Sequence, residues 1–399
     1  IMASTLKPFR ATYYNPLQVK NPGACACPPY DVINKQELKV LRNKSPYNFS
    51  HVLIADNKNY LRPAKILDQW FKKQVLIDDT RESLYLYDQK FKVEGKVFKR
   101  FGILSLLRMD KKGIFPHERT HTAPKEDRKR IIKSTKAHLS PIFVIAASPL
   151  NELMKIYKLH SRTKPFIKLK SSKGVINRIW KISNKKEITR ICREVDKCKL
   201  VIADGHHRFE VSLDYFKKNK AKFKDLNYIL AYIAGYQEGL AILPTHRVLA
   251  LADKDQEFFR KLEKYFKLDR ISPDTLDKKL KTASRFCLGI YRKNNFYFLQ
   301  LKNPDILVKM FSKLYRELDT YIFHNLVLPL FKLESKFEYT HSLKEAKALA
   351  GKKKTAFILR AASLESVFKI SSKGFRMPQK STYFYPKLLS GLVIRRFKK

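Results

Sequence analysis

His117, Glu118 and His121 in "FPHERTHTAPKEDRKR" (115–130) have the spacing HExxH. On one helical face that spacing offers two imidazoles to zinc and a glutamate as general base. The surroundings argue against it. Pro124 follows His121 closely enough to end a helix early, no apolar stripe backs the histidines, and no third ligand can be singled out. No zinc is expected, and zinc hydrolysis is the least favoured of three readings.

"IADGHHR" joins more features that serve one chemistry. Residues 199–203 read as a short apolar strand, Asp204 to His206 as a turn, and a helix is expected from about His207. Gly205 has no Cβ, so the backbone there can approach an anion. The helix start supplies N–H groups and the positive end of its dipole. His206, His207 and Arg208 add donors, and a guanidinium can grip phosphate with two of them. Asp204 could orient a hydroxyl, accept its proton or help hold Mg²⁺. The plainer alternative is that Asp204 caps the helix and the histidines hydrogen-bond locally.

The opening stretch then takes a second meaning. His117, Glu118, Lys125, Asp127 and Arg128 put both signs of charge in what reads as a loop after a strand. If that loop faces the Asp204 turn, Glu118 is a candidate base with His117 beside it, and Lys125 and Arg128 face phosphate. Pocket candidates are Tyr30 and Asp31 of "PPYDVI" and Lys380, Ser381 and Thr382 of "MPQKSTYFYPK". His246 and Arg247 are read as a structural pair. The chain contains no GxxxxGK[ST], GxGxxG or GxSxG, which removes support from P-loop, Rossmann and α/β-hydrolase chemistry.

These motifs need elements to hold them. A helix is expected over 60–75, with Ile66, Leu67, Trp70 and Phe71 apolar. Residues 83–109 read as a hairpin turning at "VEGK", 141–147 as a buried strand, and 228–251 as a second hairpin turning at "QEG". The spacing of Met310, Phe311, Leu314 and Leu318 predicts one long amphipathic helix over 307–328. A strand and then a helix are expected over 354–370, and a loop and a final strand from 377. Residues 1–34 read as an irregular lead-in.

With 399 residues, 44% of them apolar, the chain can bury real cores. Its formal charge of +47 favours anionic partners, but the lysines and arginines are scattered, with no long basic block. Five cysteines without a CxxC point to a reducing, cytoplasmic setting. No apolar run is long enough for a membrane span, the start lacks the apolar core of a signal peptide, and no membrane partner is expected.

Taken in order from residue 7 to 393, "KPFRA", "PPYDVIN", "PHERT" with "KEDR", "IADGHHR", "ILPTHRVL" and "MPQKSTYFYPKLLSGLV" resemble the bacterial and archaeal domain-of-unknown-function family 1015. His121 lies outside that family's pattern. "DGHHR" is also similar to the phosphate-binding loop of the ParB/sulfiredoxin-like fold, a group that includes nucleotide-dependent enzymes and free-serine kinases. That similarity implies a nucleotide β- or γ-phosphate at Gly205, His206, His207 and Arg208, with Glu118 or Asp204 as base.

The expected architecture is α+β, with mixed sheets, hairpins and packed helices. One domain is expected over 1–252, carrying both charged motifs, and a second over 253–399. The leading functional expectation is a phosphotransferase acting on a small hydroxylated metabolite, with ATP or ADP and Mg²⁺ as cofactors. Its partner would be a nucleotide or phosphorylated small molecule. The alternative is a nucleic-acid-binding or ParB-like regulatory protein.

Overall fold

A computed structural model describes residues 4–109, 112–118, 122–237, 239–251, 253–282, 286–331 and 337–398. The chain divides into two compact units. The first comprises Ile1–Pro116, Thr120–Ala241 and Pro386–Lys399; the second comprises His117–Arg119 and Ile242–Tyr385.

The first unit is built on a nine-stranded mixed sheet. In chain order its elements are β1 (Leu6–Lys7), β2 (Leu84–Val93), β3 (Lys96–Arg108), β4 (Ile114–Pro116), helix α1 (Thr122–Thr135), β5 (Ile142–Ala146), β6 (Ile167–Lys170), β7 (Ile176–Ile182), β8 (Leu200–Asp204), helix α2 (His206–Asn219) and β9 (Tyr228–Ala234). The strands run β4-β8-β5-β9-β3-β2-β7-β6, with β1 on the far end of β3. β8 is parallel to β4 and β9 is parallel to β5; the other pairs are antiparallel. This is α+β, as the mixture of hairpins and helices predicts.

The expected hairpin is β2–β3. Glu94 (φ 47°) and Gly95 (φ 80°) turn it, both left-handed, as a two-residue turn matching strand twist requires. The expected strands at 141–147 and 199–203 are β5 and β8, both almost wholly buried. The helix expected over 60–75 is Leu61–Lys72, with Leu67 and Trp70 buried. Ile103, Ile142, Val144, Ile191, Leu200 and Ile233 belong to one core cluster; each such side chain contributes roughly 1.5–3 kcal/mol on burial.

Four expectations need correction. The lead-in is partly ordered: Leu6–Lys7 joins the main sheet, and Thr12–Tyr14 pairs with Leu76–Asp78. Lys125, Asp127 and Arg128 lie on α1, not in a loop, because Pro124 falls in the helix's first turn, where its missing N–H costs nothing. Residues 228–251 are not a hairpin: β9 has both edges filled, by β3 and β5. The second expected arm supplies His246–Leu249, which pairs with Glu338–Thr340 and Thr355–Ile358.

The fourth correction is in the second unit, whose six-stranded sheet is antiparallel throughout. Its strand order is Phe266–Ile271, Asn295–Leu301, Cys287–Arg292, Thr355–Ile358, His246–Leu249, Glu338–Thr340. The long helix expected over 307–328 is broken. A helix ends at Met310, Phe311 is extended, and helical structure resumes at Asp319. Arg316 accounts for the break: it donates to the carbonyls of Phe311 (2.9 Å) and Val308 (3.1 Å), the groups a continuing helix would use itself. Thr355–Ile358 and the helix Leu364–Ser372 match the expected strand and helix.

All five cysteines are free thiols. Among the described residues no helix is long and apolar enough to cross a membrane.

Candidate functional site

The Asp204 turn is shaped by its strand. The register of β8 against β5 shifts between Ile202 and Asp204, a bulge that re-aims the last side chain of the strand. Gly205 follows in the left-handed region (φ 90°) as the N-cap of α2. A Cβ there would lie 2.9 Å from Ile142 Cγ2 and 3.0 Å from the Arg208 guanidinium. Glycine is required both for the backbone and for Arg208 to fold back over the turn.

Arg208 folds back onto Asp204. Its Nη2 donates to Asp204 Oδ2 at 2.6 Å, and its Nη1 donates to the Pro141 carbonyl. Its Nε is buried and has no hydrogen-bond partner among the described residues. Lys387 Nζ donates to the other carboxylate oxygen, Oδ1. Burial opposes the charge on Asp204, but Lys387 and Arg208, with His206 behind them, outweigh it and hold the carboxyl well below the ordinary carboxylate range. A third cation, the fully buried Arg100, feels the same carboxylate; it donates to the Gln89 side chain and the Pro386 carbonyl and lies 4.7 Å from the Phe143 ring. The carboxylate thus bonds two cations, Arg208 and Lys387, with Arg100 a more distant third. His206 is buried and His207 half-buried at the start of α2.

α1 packs along α2, and Lys125 Nζ bonds Glu210 Oε2 at 2.9 Å across them. Arg128 donates to Asp127 (2.8 Å) and to the Leu53 carbonyl (2.9 Å), with its guanidinium 4.0 Å from the Tyr30 ring centroid. Asp127 also accepts from Tyr60 Oη at 3.0 Å. Tyr30, Arg128 and Arg208 line one cavity of about 50 Å³, together with His138, Ser140 and Ser212. Burial pushes the Tyr30 phenol above its ordinary value, with Asp31 adding to this and Arg128 and Arg208 opposing it. Asp31 is exposed on the turn Tyr30–Val32. So "PPYDV", "KEDR" and "DGHHR" meet in the first unit.

His117 and Glu118 belong to the second unit, with the "MPQKST" loop. Met377 N–H donates to the His117 carbonyl at 2.7 Å, His117 Nε2 lies 2.7 Å from Thr382 Oγ1, and Glu118 accepts the Lys380 N–H. Lys380 is left-handed (φ 55°), its carbonyl held by Arg247 Nη2 at 2.9 Å and its side chain exposed. Arg247 is fully buried, which lowers its pKa to about 10 against the pull of Tyr339, Glu118 and Asp319. Ser381 Oγ bonds the Pro378 carbonyl at 2.6 Å. His246 is buried beside Arg247 in the strand.

His121 lies outside the described residues. Among the described residues no group of three or more His, Cys, Asp or Glu side chains is placed to hold a metal. Sequence reasoning missed Arg100 and Lys387. Lys387 follows the aromatic run of a loop that was singled out, but nothing local ties it to Asp204; Arg100 sits among hairpin lysines, and its signal is burial alone.

The model of a family described as "Protein of unknown function (DUF1015)" matches residues 6–321. No curated protein matches the chain in sequence. Among solved structures, C-terminally truncated SbnI from Staphylococcus aureus is 11% identical, covering 72% of this chain and 85% of its own, at a TM-score of 0.40. A free serine kinase in complex with AMP is 12% identical, covering 72% and 92%, at 0.38. A conserved hypothetical protein from Pyrococcus furiosus is 14% identical, covering 72% and 95%, at 0.37. Likeness at this level bears on neither ligand nor reaction.

Proposed function

The chain belongs to the DUF1015 family, and we propose that it is a phosphotransferase that binds the phosphates of a nucleotide at the Asp204–Arg208 turn and acts on a small hydroxylated metabolite. The observation that carries this is Arg208: it is aimed by Asp204 and Pro141, with its buried Nε without a hydrogen-bond partner among the described residues, beside the Gly205 helix start. Pre-aimed donors at a helix N-terminus bind phosphate without further ordering.

In this reading the bond between the terminal phosphorus and its bridging oxygen breaks, and a new bond forms to the substrate hydroxyl oxygen. Arg208, Lys387 and Arg100 offset the charge on the transferred group and on the leaving phosphate. Asp204 positions Arg208 and Lys387. Its carboxylate is too strongly stabilised by them to be an effective base. The hydroxyl proton passes to an oxygen of the transferred phosphoryl group. The donor set does not suit a protein-held Mg²⁺, which takes carboxylate oxygens, because both Asp204 oxygens already face cations.

Calorimetric titration with ADP, ATP and pyrophosphate at ~150 mM salt, where loose surface attraction is screened, tests the reading. Saturable binding is expected in the wild type with or without Mg²⁺. Arg208→Ala and Lys387→Met, each checked for folding by circular dichroism, should weaken it tenfold or more. Absence of binding in the wild type, or full binding in both variants, would overturn it.

A further inference from the structure

A different surface of the first unit carries an inference independent of the phosphate reading. Between α1 and α2 lies a groove of about 590 Å³, far larger than the cavity at Arg208. Lys133, on α1, and Lys136, just past its end, stand on one side. Lys218 and Lys222 stand on the other side. All four are exposed, and none has an ion-pair partner among the described residues. The remaining lining lysine, Lys129, is paired with Glu126 at 3.4 Å, and the only lining carboxylate among the described residues is Asp214.

Two half-buried rings, Tyr215 and Phe223, also line the groove. Both rest on Phe397, with centroids 5.7 and 5.9 Å away. That ring is fixed by the tail of the chain: Phe397 N–H donates to the Lys136 carbonyl at 2.9 Å, and Lys224 N–H to the Lys398 carbonyl at 3.0 Å. The rings are therefore braced rather than loose.

We propose that this groove binds single-stranded nucleic acid. Unpaired cations on both walls suit a phosphate backbone, and braced rings between them offer faces on which unpaired bases stack. A duplex hides its base faces, so the rings favour a single strand. The overall charge of +47 adds long-range attraction for a polyphosphate.

The test is fluorescence anisotropy with a fluorescein-labelled thymidine strand of about twelve nucleotides, between ~50 and ~200 mM salt. The groove variant is Lys133→Ala/Lys218→Ala/Lys222→Ala. A charge-matched control, Lys264→Ala/Lys302→Ala/Lys309→Ala, removes three lysines that line another hollow, in the second unit. The groove variant should bind at least tenfold more weakly, and its log–log salt slope should flatten by about 2, at ~0.7 for each phosphate that is no longer neutralised. The control should stay within about threefold of the wild type. Tyr215→Leu, which keeps apolar packing against Phe397, should cost roughly fivefold or more with no change in salt slope. Equal loss in both triple variants, no loss in the groove variant, or equal displacement of the strand by polyglutamate would each overturn the proposal. ADP titration of the same proteins separates the two readings, since the groove variant should keep ADP binding and Arg208→Ala should keep strand binding.

Discussion

Lys387 Nζ and Asp204 Oδ1 are hydrogen-bonded although 183 residues separate them in sequence. The Lys387 side chain is 12% exposed and that of Asp204 15%. Arg208, on the other oxygen, is 13% exposed. A carboxylate shared by two largely desolvated cations holds both in place, and without it they repel one another. Asp204→Asn should therefore destabilise the protein by ~3 kcal/mol, the usual cost of leaving buried charge unpaired. Urea denaturation measures this, and a change within ~0.5 kcal/mol would mean that the pair is screened by water. Inorganic phosphate should raise the melting temperature of this variant more than that of the wild type, because an anion replaces the missing charge.

Gly205 makes a separate prediction. In Gly205→Ala the new methyl meets Ile142 and the Arg208 guanidinium at about 3 Å, on a backbone with φ 90°. A left-handed alanine costs ~1–2 kcal/mol before any clash. Because Arg208 can move only by leaving Asp204 or Pro141, phosphate affinity should fall together with stability. A variant that loses stability but binds pyrophosphate as well as the wild type would show that the position of Arg208 does not depend on the glycine.

The strand–turn–helix around Gly205 was legible because each part of it is local. An apolar run, a glycine and a change of period stand within twenty residues, and β8 and α2 fall where those signals put them. The hairpin β2–β3 was legible for the same reason, since a glycine turn fixes its register. Pairings that depend on distant chain were not. β9 takes its neighbours from β3 and β5, so the adjacent "AILPTHRVL" could not be its partner. The helical spacing from Met310 to Leu318 is real, but Arg316 claims the carbonyls it would need. Closeness in sequence does not decide which cation meets Asp204: Lys125 bonds Glu210, whereas Lys387, far from the motif in sequence, reaches Asp204.

Lys380 predicts a change in the opposite sense. Its φ of 55° is held between the Glu118 carboxylate on its N–H and Arg247 on its carbonyl, while its side chain is exposed. Lys380→Gly removes a left-handed cost of ~1–2 kcal/mol and adds ~0.5–1 kcal/mol of unfolded-state entropy. The result should be neutral to ~1 kcal/mol more stable. Glu118→Ala should do the reverse, by ~0.5–1.5 kcal/mol, since it removes the hydrogen bond that holds the Lys380 N–H. Thermal melts of the two variants, singly and combined, check both signs; a stabilising Glu118→Ala would refute the account of the clasp.

Buried histidines set the acid limb of stability. Burial first, then His341 and Arg247, lowers the pKa of His246 from 6.5 to about 4; burial and Arg247 do the same to His324. Burial and Arg395 hold His138 well below its ordinary value. In each case the unfolded chain takes up a proton near pH 6.5 and the folded chain does not. Stability is therefore complete above about pH 6.5, falls as the pH drops toward 4, and levels once the folded imidazoles also protonate. For His246 alone the loss across that window is roughly 3 kcal/mol. Its Nδ1 accepts the Leu359 N–H at 3.3 Å, a role that an asparagine Oδ1 can fill. His246→Asn should thus fold and lose about one proton of uptake on unfolding at pH 5, measured as a shallower slope of stability against pH between 6.5 and 4. An unchanged slope would show that His246 protonates in the folded protein.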